Sequence, residues 1–497
     1  MKNYPTLHAL LLMFVAMGAL YGLSQVRWSD LTDNRLKDFD LLEDLFPKEN
    51  DDVVTADAAP EIDPELELYI TQIADHFFEN EIAAADSLAP KSESENNLTD
   101  TTLMAHAEIP SADASIELSA PIAPERPAAT VSADGVVLIE NYTGSVADFP
   151  RLRSALAQSG DRLVRIAFLG DSFIEGDIIS QDLRSKLQDD FGGSGVGYLA
   201  LHTDMAGFRQ SVRQSDSGWK KVLLKNFSSR DTLRLLQAEY SVAAGPAKAT
   251  FKGSKKPAHT NSWQNSSFLF IAPHSGSLKL SGSDGLATEY QILASENPQY
   301  LTLPGRTSEF TVQSDIPGLV GLGVFLDADR GVQVDCMSIR GNSGLNHKNT
   351  NLGLCHRLSP WVDYDLIILE FGINAVSPGQ TNYSAYVKAM AQSVERIKAC
   401  YPNADILLLG IADRGSKSGA GVKSLDACRF MVDAQRSLAR RTGIHFWDTR
   451  AAMGGEGAVV DWRNRKLMNA DYIHLNHNGG AELASLLYRS LKKSLDE

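Results

Sequence analysis

Short apolar runs alternate with amphipathic segments along much of the chain after residue 136. Runs rich in Leu, Ile and Val predict buried parallel strands, and they stand at 163–172 (LVRIAFLGDS), 364–374 (YDLIILEFGIN), 404–415 (ADILLLGIADRG) and 444–453 (IHFWDTRAAM). Segments with helical spacing of apolar residues stand at 180–193, 383–403, 426–443 and 478–495. Strands that alternate with helices in this way predict an α/β fold with a parallel sheet covered on both faces.

A different pattern interrupts this order between residues 204 and 333. Apolar and polar residues alternate there, and Gly, Pro and Ser break the alternation into short runs such as SSFLFIAPHSGSLKLSGSDG. This is typical of short antiparallel strands in a β-sandwich or jelly roll. Because it follows the first strand–helix unit, we interpret 204–333 as a domain inserted into a core formed by 136–203 and 334–497.

The N-terminal 27 residues carry one apolar stretch, Ala9–Leu23, preceded by a single lysine. The stretch is long for a signal-peptide core and short for a transmembrane helix. No clear small-residue cleavage site follows it, so an uncleaved signal anchor is favoured over a cleaved signal. With either a signal anchor or a cleaved signal, the rest of the chain is expected to be exported to the periplasm or cell envelope. An uncleaved anchor would also hold it at the inner membrane.

Residues 28–135 predict a largely disordered tether. They hold 26 acidic and 5 basic residues, whereas the whole chain has a net charge of −15, so the rest of the chain is close to neutral. Segments such as SESENNLTDTT contain too few apolar residues to form a core. The globular part has no basic stripe, and we therefore expect no binding to nucleic acid.

The turn after the first core strand presents Gly170, Asp171 and Ser172. A glycine permits a tight strand-to-helix turn, and a serine there would be exposed at the carboxyl edge of the sheet, where open α/β proteins place their sites. The alternative is a serine that caps the following helix. Three residues cannot separate a nucleophile from a cap.

A loop near the C-terminus, NADYIHLNHNGG, contains Asp471 and His474 just before the last predicted helix. A serine nucleophile needs an imidazole base, and the imidazole needs a carboxylate to orient it. One loop turn could supply both groups. His477 is a competing base, although no acid stands at the matching distance before it.

Two further positions suit an oxyanion hole. Asn374 ends a strand in EFGIN, and Gly341 lies in the loop IRGNSG after another strand. With the backbone N–H of Ser172, these residues supply donors where negative charge would develop. The combined set indicates nucleophilic catalysis by a serine, which needs no metal and no organic cofactor.

At these blocks the sequence resembles the SGNH, or GDSL-like, hydrolases. GDS with Ser172, IRGNSG with Gly341, FGIN with Asn374 and DYIH with Asp471 and His474 match the four blocks of that family. The resemblance covers about 137–203 and 334–497. It implies a flavodoxin-like three-layer fold and ester hydrolysis through an acyl-enzyme.

A narrower resemblance is to periplasmic peptidoglycan O-acetylesterases of the same family, which carry a carbohydrate-binding-like β-sandwich at this position. The sequence departs from the patterns in two places. Phe173 stands where the narrower group usually has His after the nucleophile, which bears on the substrate pocket. Ala375 stands where the broader family usually has Asp after the asparagine.

The resemblance implies that the protein removes acetyl groups from an acetylated polysaccharide such as peptidoglycan. An esterase for another glycan such as xylan, a glycan O-acetyltransferase and a non-catalytic wall-binding protein remain as alternatives. Aromatic residues of the insert could stack on sugars or form its core: Trp219, Trp263, Tyr290 and Tyr300. Four cysteines could pair, but their spacing fixes no connectivity: Cys336, Cys355, Cys400 and Cys428.

Overall fold

The computed structural model describes residues 129–223, 233–237, 239–283, 285–418 and 421–496. The predicted signal anchor and almost all of the predicted tether lie outside these residues. Among the described residues, no helix combines the length and the apolar character that a membrane crossing requires.

Seventeen strands are described: β1 (Glu140–Asn141), β2 (Leu163–Gly170), β3 (Gly197–Leu199), β4 (Val212–Leu223), β5 (Glu239–Gly253), β6 (Trp263–Ala272), β7 (Gly276–Gly282), β8 (Ala287–Ile292), β9 (Ser295–Thr307), β10 (Glu309–Ser314), β11 (Val320–Asp327), β12 (Gly331–Ser338), β13 (Leu366–Glu370), β14 (Asp405–Leu409), β15 (Gly415–Ser418), β16 (Gly421–Ser424) and β17 (His445–Trp447). The α-helices in the same part of the chain are α1 (Pro150–Leu156), α2 (Ser180–Phe191), α3 (Leu352–Leu358), α4 (Ser384–Cys400), α5 (Ala427–Thr442), α6 (Thr449–Met453), α7 (Ala458–Asn464) and α8 (His477–Asp496).

The core is a six-stranded sheet in the order β1–β17–β14–β13–β2–β12. Every neighbouring pair is parallel except β1 with β17. Counted along the chain, the five parallel strands stand in the order 2-1-3-4-5, which is the flavodoxin-like arrangement. β13 and β14 are completely buried because helices cover both faces of the sheet. α2 packs on α8, and α4 packs on α3 and α5.

The predicted fourth strand is shorter than its apolar pattern suggested. β17 ends at Trp447, and α6 begins two residues later. The side chain of Asp448 accepts a hydrogen bond from the N–H of Ala451, which caps this helix. An N-cap inside an apolar segment therefore ends the strand early.

The β-rich segment forms one antiparallel nine-stranded sheet around its own apolar core. The long β5 pairs with β4, with β10 over its second half and with β11 near its start, so the sheet folds over itself as a sandwich. The sheet also takes in β3, which precedes residue 204, while β12, beginning at Gly331, belongs to the core sheet.

The aromatic residues of this segment divide between core and surface-facing positions. Trp219 and Trp263 are buried in the apolar core of the sandwich. Tyr290 and Tyr300 are only partly buried, and the Tyr300 ring stacks on Trp361 of the core domain with ring centroids 5.8 Å apart. All four cysteines are buried and free.

Candidate active site

The candidate site lies where the strand order of the core sheet reverses. Gly170 at the end of β2 is paired with Ser338 at the end of β12 and with Glu370 at the end of β13. The loops that leave these three strands therefore begin at one edge of the sheet. Open α/β sheets bind ligands in the crevice at this point.

Ser172 lies in the loop that leaves β2, and it is 8% exposed. The alternative reading made this serine the cap of the following helix, but a turn and a short 3₁₀ helix, Glu175–Asp177, come first, and α2 begins at Ser180, as the helical spacing of 180–193 predicted. The carboxylate of Asp171 accepts the N–H of Phe173 at 3.0 Å and thereby closes the turn around Ser172. The serine therefore does not cap the helix.

The loop with Asp471 and His474 is held closed by its own backbone. Met468 and Leu475 form an isolated antiparallel bridge, and the N–H of Asn469 donates to the carbonyl of His474 at 2.9 Å. The Asp471 carboxylate accepts the N–H groups of Ile473 and His474, so the acid fixes the backbone that carries the base. This local structure explains the spacing of three residues between them.

The structure brings Ser172, His474 and Asp471 into one hydrogen-bonded chain. Ser172 Oγ lies 2.9 Å from His474 Nε2, and His474 Nδ1 lies 2.6 Å from Asp471 Oδ2. A carboxylate only accepts hydrogen bonds, so Nδ1 carries the proton and Nε2 is free to accept from the serine. Burial acts to raise the pKa of Asp471, but the hydrogen bonds from His474 and from two backbone N–H groups outweigh it and lower that pKa.

Gly341 lies in a tight turn directly after β12. The N–H of Asn342 donates to the carbonyl of Ile339, and Gly341 adopts φ +74° within that turn, a conformation that favours glycine. In the described part of the chain, the N–H groups of Ser172 and Gly341 donate to no protein acceptor. These two donors are free to meet a ligand oxygen.

Asn374 follows β13 and bridges the other two loops. Its Nδ2 donates to Asp171 Oδ2 at 2.8 Å and makes a long contact of 3.4 Å with the carbonyl of Asn342. The short bond fixes the orientation of the amide, because its nitrogen and not its oxygen must face the carboxylate. All five residues predicted for the site therefore lie on the three loops at this sheet edge and the loop before α8.

Beneath the site lies a pair of buried carboxyl groups that the sequence analysis missed. Burial raises the pKa of Asp171 to about 7, and burial together with the charge of Asp171 raises the pKa of Glu370 well above its usual range. The site therefore favours the protonated form of Glu370, whose carboxyl group hydrogen-bonds to Asp171. An acidic residue at the end of the apolar run LIILE was the signal that could have revealed it.

Two residues that the sequence singled out have other surroundings. Phe173 is buried, and its ring centroid lies 6.4 Å from that of His474, so it packs behind the base. The competing histidine, His477, begins α8 with its ring 5.2 Å from Phe208, and burial lowers its pKa. Within the described ranges, no three His, Cys, Asp or Glu side chains group as metal ligands.

Comparisons with known proteins agree with this arrangement. The model of the GDSL-like lipase/acylhydrolase family matches residues 321–481, which include Gly341, Asn374, Asp471 and His474. Ser172 precedes the match, because the β-rich segment separates it from the other blocks. No curated protein sequence matches the chain significantly.

Solved structures share the fold. A peptidoglycan O-acetylesterase is 21% identical, with a TM-score of 0.59, over 72% of this chain and 99% of that one. A family two carbohydrate esterase from Cellvibrio japonicus is 12% identical over 57% of this chain and 99% of its own, with a TM-score of 0.25. An acetyl xylan esterase is 20% identical over 32% and 81%, also with a TM-score of 0.25. The last two scores are too low to support an argument.

The fold, the sheet-edge site and the family match define a carboxylic ester hydrolase of the SGNH type. The chain is similar to the GDSL-like lipase/acylhydrolase family over residues 321–481, and its fold, with the inserted β domain, is similar to that of peptidoglycan O-acetylesterase. The resemblance stated from the four sequence blocks is thereby confirmed.

Proposed function

We propose that this protein is an exported serine esterase that removes O-acetyl groups from a cell-envelope polysaccharide, peptidoglycan with O-acetylated N-acetylmuramic acid. The observation that carries the proposal is the hydrogen-bonded chain from Ser172 through His474 to Asp471, next to two free backbone N–H groups. The similarity in fold to a peptidoglycan O-acetylesterase supports this choice of glycan.

In the proposed reaction, His474 Nε2 takes the proton of Ser172 as Oγ attacks the acetyl carbonyl carbon. The backbone N–H groups of Ser172 and Gly341 stabilise the oxyanion, and Asn374 adds an amide N–H by giving up its long contact with Asn342. Loss of one such donor typically lowers turnover about 10²- to 10³-fold.

The proton on His474 then passes to the sugar oxygen as the C–O bond breaks, which leaves the acetyl group on Ser172. A water molecule, deprotonated by His474, attacks this ester and releases acetate. Because a protonated imidazole cannot take the serine proton, activity falls at acidic pH.

The test is acetate release from O-acetylated peptidoglycan and from acetylated xylan, by wild type and by Ser172→Ala. The matched control is Ser217→Ala, which removes an exposed serine hydroxyl of β4. We expect wild type and the control to release acetate from peptidoglycan and the Ser172→Ala protein to release none. Retained activity in Ser172→Ala contradicts the nucleophile.

The products distinguish the other functions. Faster release from xylan contradicts the choice of substrate. Accumulation of newly acetylated sugar instead of acetate indicates a transferase, and an inactive wild type that still binds wall polymer indicates a binding protein.

Export and attachment to the inner membrane belong to the same proposal. The apolar stretch Ala9–Leu23 supports them. Cell fractionation tests this point, and we expect the full chain in the membrane fraction and a chain without residues 1–27 in the cytoplasm.

A further inference from the structure

A pocket of about 540 Å³ lies between the core and the β-rich sheet, beside the candidate active site. Its core wall includes Glu175–Asp177, which begins three residues after Ser172, and Ser338–Arg340, which ends directly before Gly341. Residues of β3 and β4 and the first residue of β5 form the opposite wall. The pocket is therefore built from the same two loops that supply the candidate nucleophile and oxyanion donor.

The charged side chains around this pocket are mostly paired with one another. Arg340 pairs with Glu175, and Lys221 pairs with Asp204. Arg209 donates to Asp177 at 2.9 Å. Each of the three basic groups thus has an acidic partner, so the pocket has no excess positive charge to attract an anionic ligand.

Two polar groups in the wall have no hydrogen-bond partner within the described part of the chain. One is the half-buried carboxyl group of Glu239, and the other is the hydroxyl of Tyr198, a residue that is only 3% exposed. Burial raises the pKa of Glu239 to about 7, and the charge of Glu239 is second only to burial in raising the pKa of Tyr198. Buried polar groups are normally satisfied, so the Tyr198 hydroxyl, beside the carboxyl group of Glu239 in the wall, points to a missing ligand.

Most of the remaining wall is apolar, including Leu199, Ala200, Met205, Ala206 and Leu223, and three uncharged polar residues complete it: Thr203, Gln214 and Ser338. A sugar ring presents C–H groups on its faces and hydroxyl or amide groups at its edge. An apolar wall with a few convergent polar groups suits such a ligand, and the volume falls within the usual range for small-molecule sites.

We infer that this pocket binds a neutral sugar unit, bearing hydroxyl and amide groups, next to the unit whose ester lies at Ser172. Glu239 accepts hydrogen bonds from the hydroxyl or amide groups of that sugar, and the Tyr198 hydroxyl completes the polar edge. The inference rests on the proposed function, because a neighbouring sugar unit lies in this pocket only when the ester of the same glycan lies at Ser172.

The experiment is a calorimetric titration of the full chain carrying Ser172→Ala with a β-1,4-linked tetramer of N-acetylglucosamine. A second protein adds Tyr198→Phe and Glu239→Gln, both of nearly unchanged shape. A third adds Glu296→Gln, which changes an exposed carboxyl group of β9 outside the pocket. Because Tyr198→Phe removes a hydroxyl group and Glu239→Gln replaces one acceptor oxygen with an NH2 donor, we expect the Kd of the second protein to rise roughly tenfold or more, while the Kd of the third is unchanged.

Equal affinity in the first two proteins overturns the inference, and so does an absence of binding by the first. Tighter binding of the de-N-acetylated tetramer overturns the neutral character of the ligand. Thermal melts establish that the Tyr198→Phe, Glu239→Gln protein is folded. Turnover of a chromogenic acetyl ester by wild type is measured separately, so a failure of the proposed esterase activity is distinguished from a failure of the sugar site.

Discussion

Asp171 connects most of the groups that the candidate site requires. One of its oxygens holds the turn around Ser172 through the N–H of Phe173, and the other holds the amide of Asn374. A buried carboxylate in this role needs a further donor to remain charged. The protonated Glu370 supplies it, and we expect that this hydrogen bond keeps Asp171, and through it Asn374, in position.

Replacement of Glu370 tests this positioning role. Glu370→Gln retains a donor toward Asp171, whereas Glu370→Leu has a similar size and none. We expect Glu370→Gln to keep most of the activity and Glu370→Leu to lose on the order of 10- to 100-fold in kcat, with KM little changed, because a hydrogen bond to a charged group is lost. Steady-state kinetics with a chromogenic acetyl ester give both constants. Equal kcat values for the two variants contradict the role.

At the scale of elements, the loop between β2 and α2 is strained and held by a buried ion cluster. Asp177 and Ile179 adopt φ values of +71° and +69°, which are unusual for residues with side chains. The fully buried carboxylate of Asp177 binds Arg184 through both oxygens at 2.8 Å and also accepts from Arg209 and Ser211. Such a network can hold a backbone that local preferences disfavour.

Removal of the charge of Asp177 is expected to destabilise the protein strongly. In Asp177→Asn, Arg184 keeps a buried charge without a partner, and a broken buried ion pair typically costs about 3–5 kcal/mol. The control is Asp189→Asn in α2. Asp189 forms an exposed ion pair with His259, and such a pair is worth about 1 kcal/mol or less. Urea unfolding followed by circular dichroism gives both values, and similar losses in the two variants contradict the prediction.

The short helix before α3 contains a second buried polar group with consequences for stability. His347 is 1% exposed, neither ring nitrogen has a partner in the described residues, and burial lowers its pKa to about 4 from an ordinary value of 6.5. The fold therefore favours the neutral ring. The contribution of the neutral His347 ring to the free energy of unfolding is fully present above pH 6.5, the ordinary pKa, and is lost as the pH falls toward 4.

We expect the free energy of unfolding to fall over this pH interval, with as much as about 3 kcal/mol from His347. His347→Leu should show a smaller fall, while His274→Leu, at an exposed position, should match wild type. His445, whose pKa burial also lowers to about 4, keeps part of the pH dependence in every variant. Urea unfolding at pH 4.5 and 7.5 measures the difference, and an unchanged fall in His347→Leu contradicts the assignment.

At the scale of the whole described molecule, the inserted sheet and the core share a buried network. Arg165 of β2 pairs with Asp335 of β12 at 2.8 Å and with Asp327 of β11. Asp335 also accepts the N–H of Tyr198 in β3 at 2.9 Å. Apolar residues of β6 and β11 join the core cluster as well: Leu269, Ile271, Leu322 and Phe325. The two sheets therefore stabilise each other.

This continuity predicts that insert and core unfold together. Arg165→Met leaves Asp327 and Asp335 buried without their cation, and we expect a loss of about 3–5 kcal/mol that affects both sheets. The control is Arg162→Met, which breaks the ion pair between Arg162 and Asp365. Because the Arg162 side chain is 41% exposed, this loss should cost about 1 kcal/mol or less. Hydrogen exchange read by mass spectrometry reports on β2 and β11 separately. Faster exchange in only one of them contradicts shared unfolding.

Periodicity predicted most of the core correctly, because buried parallel strands and amphipathic helices leave strong local patterns. β2, β13 and β14 and the helices α2, α4, α5 and α8 all fall where apolar runs or helical spacing predicted them. Short elements such as β1, α6 and the hairpin β15–β16 were not predicted, because two to five residues carry too little pattern. The place of β3 depends on pairing with β11, more than a hundred residues later.

The residue types of the candidate site and the α/β class could be predicted without the fold, because motifs and periodicity are local properties of the chain. That Ser172, Gly341, Asn374 and His474 meet at one edge of the sheet depends on the fold, since strand order and register bring distant segments together. The fold alone revealed the Asp171–Glu370 pair and the pocket around Glu239 and Tyr198. Burial and the absence of a partner define those features, and both are properties of the packed molecule.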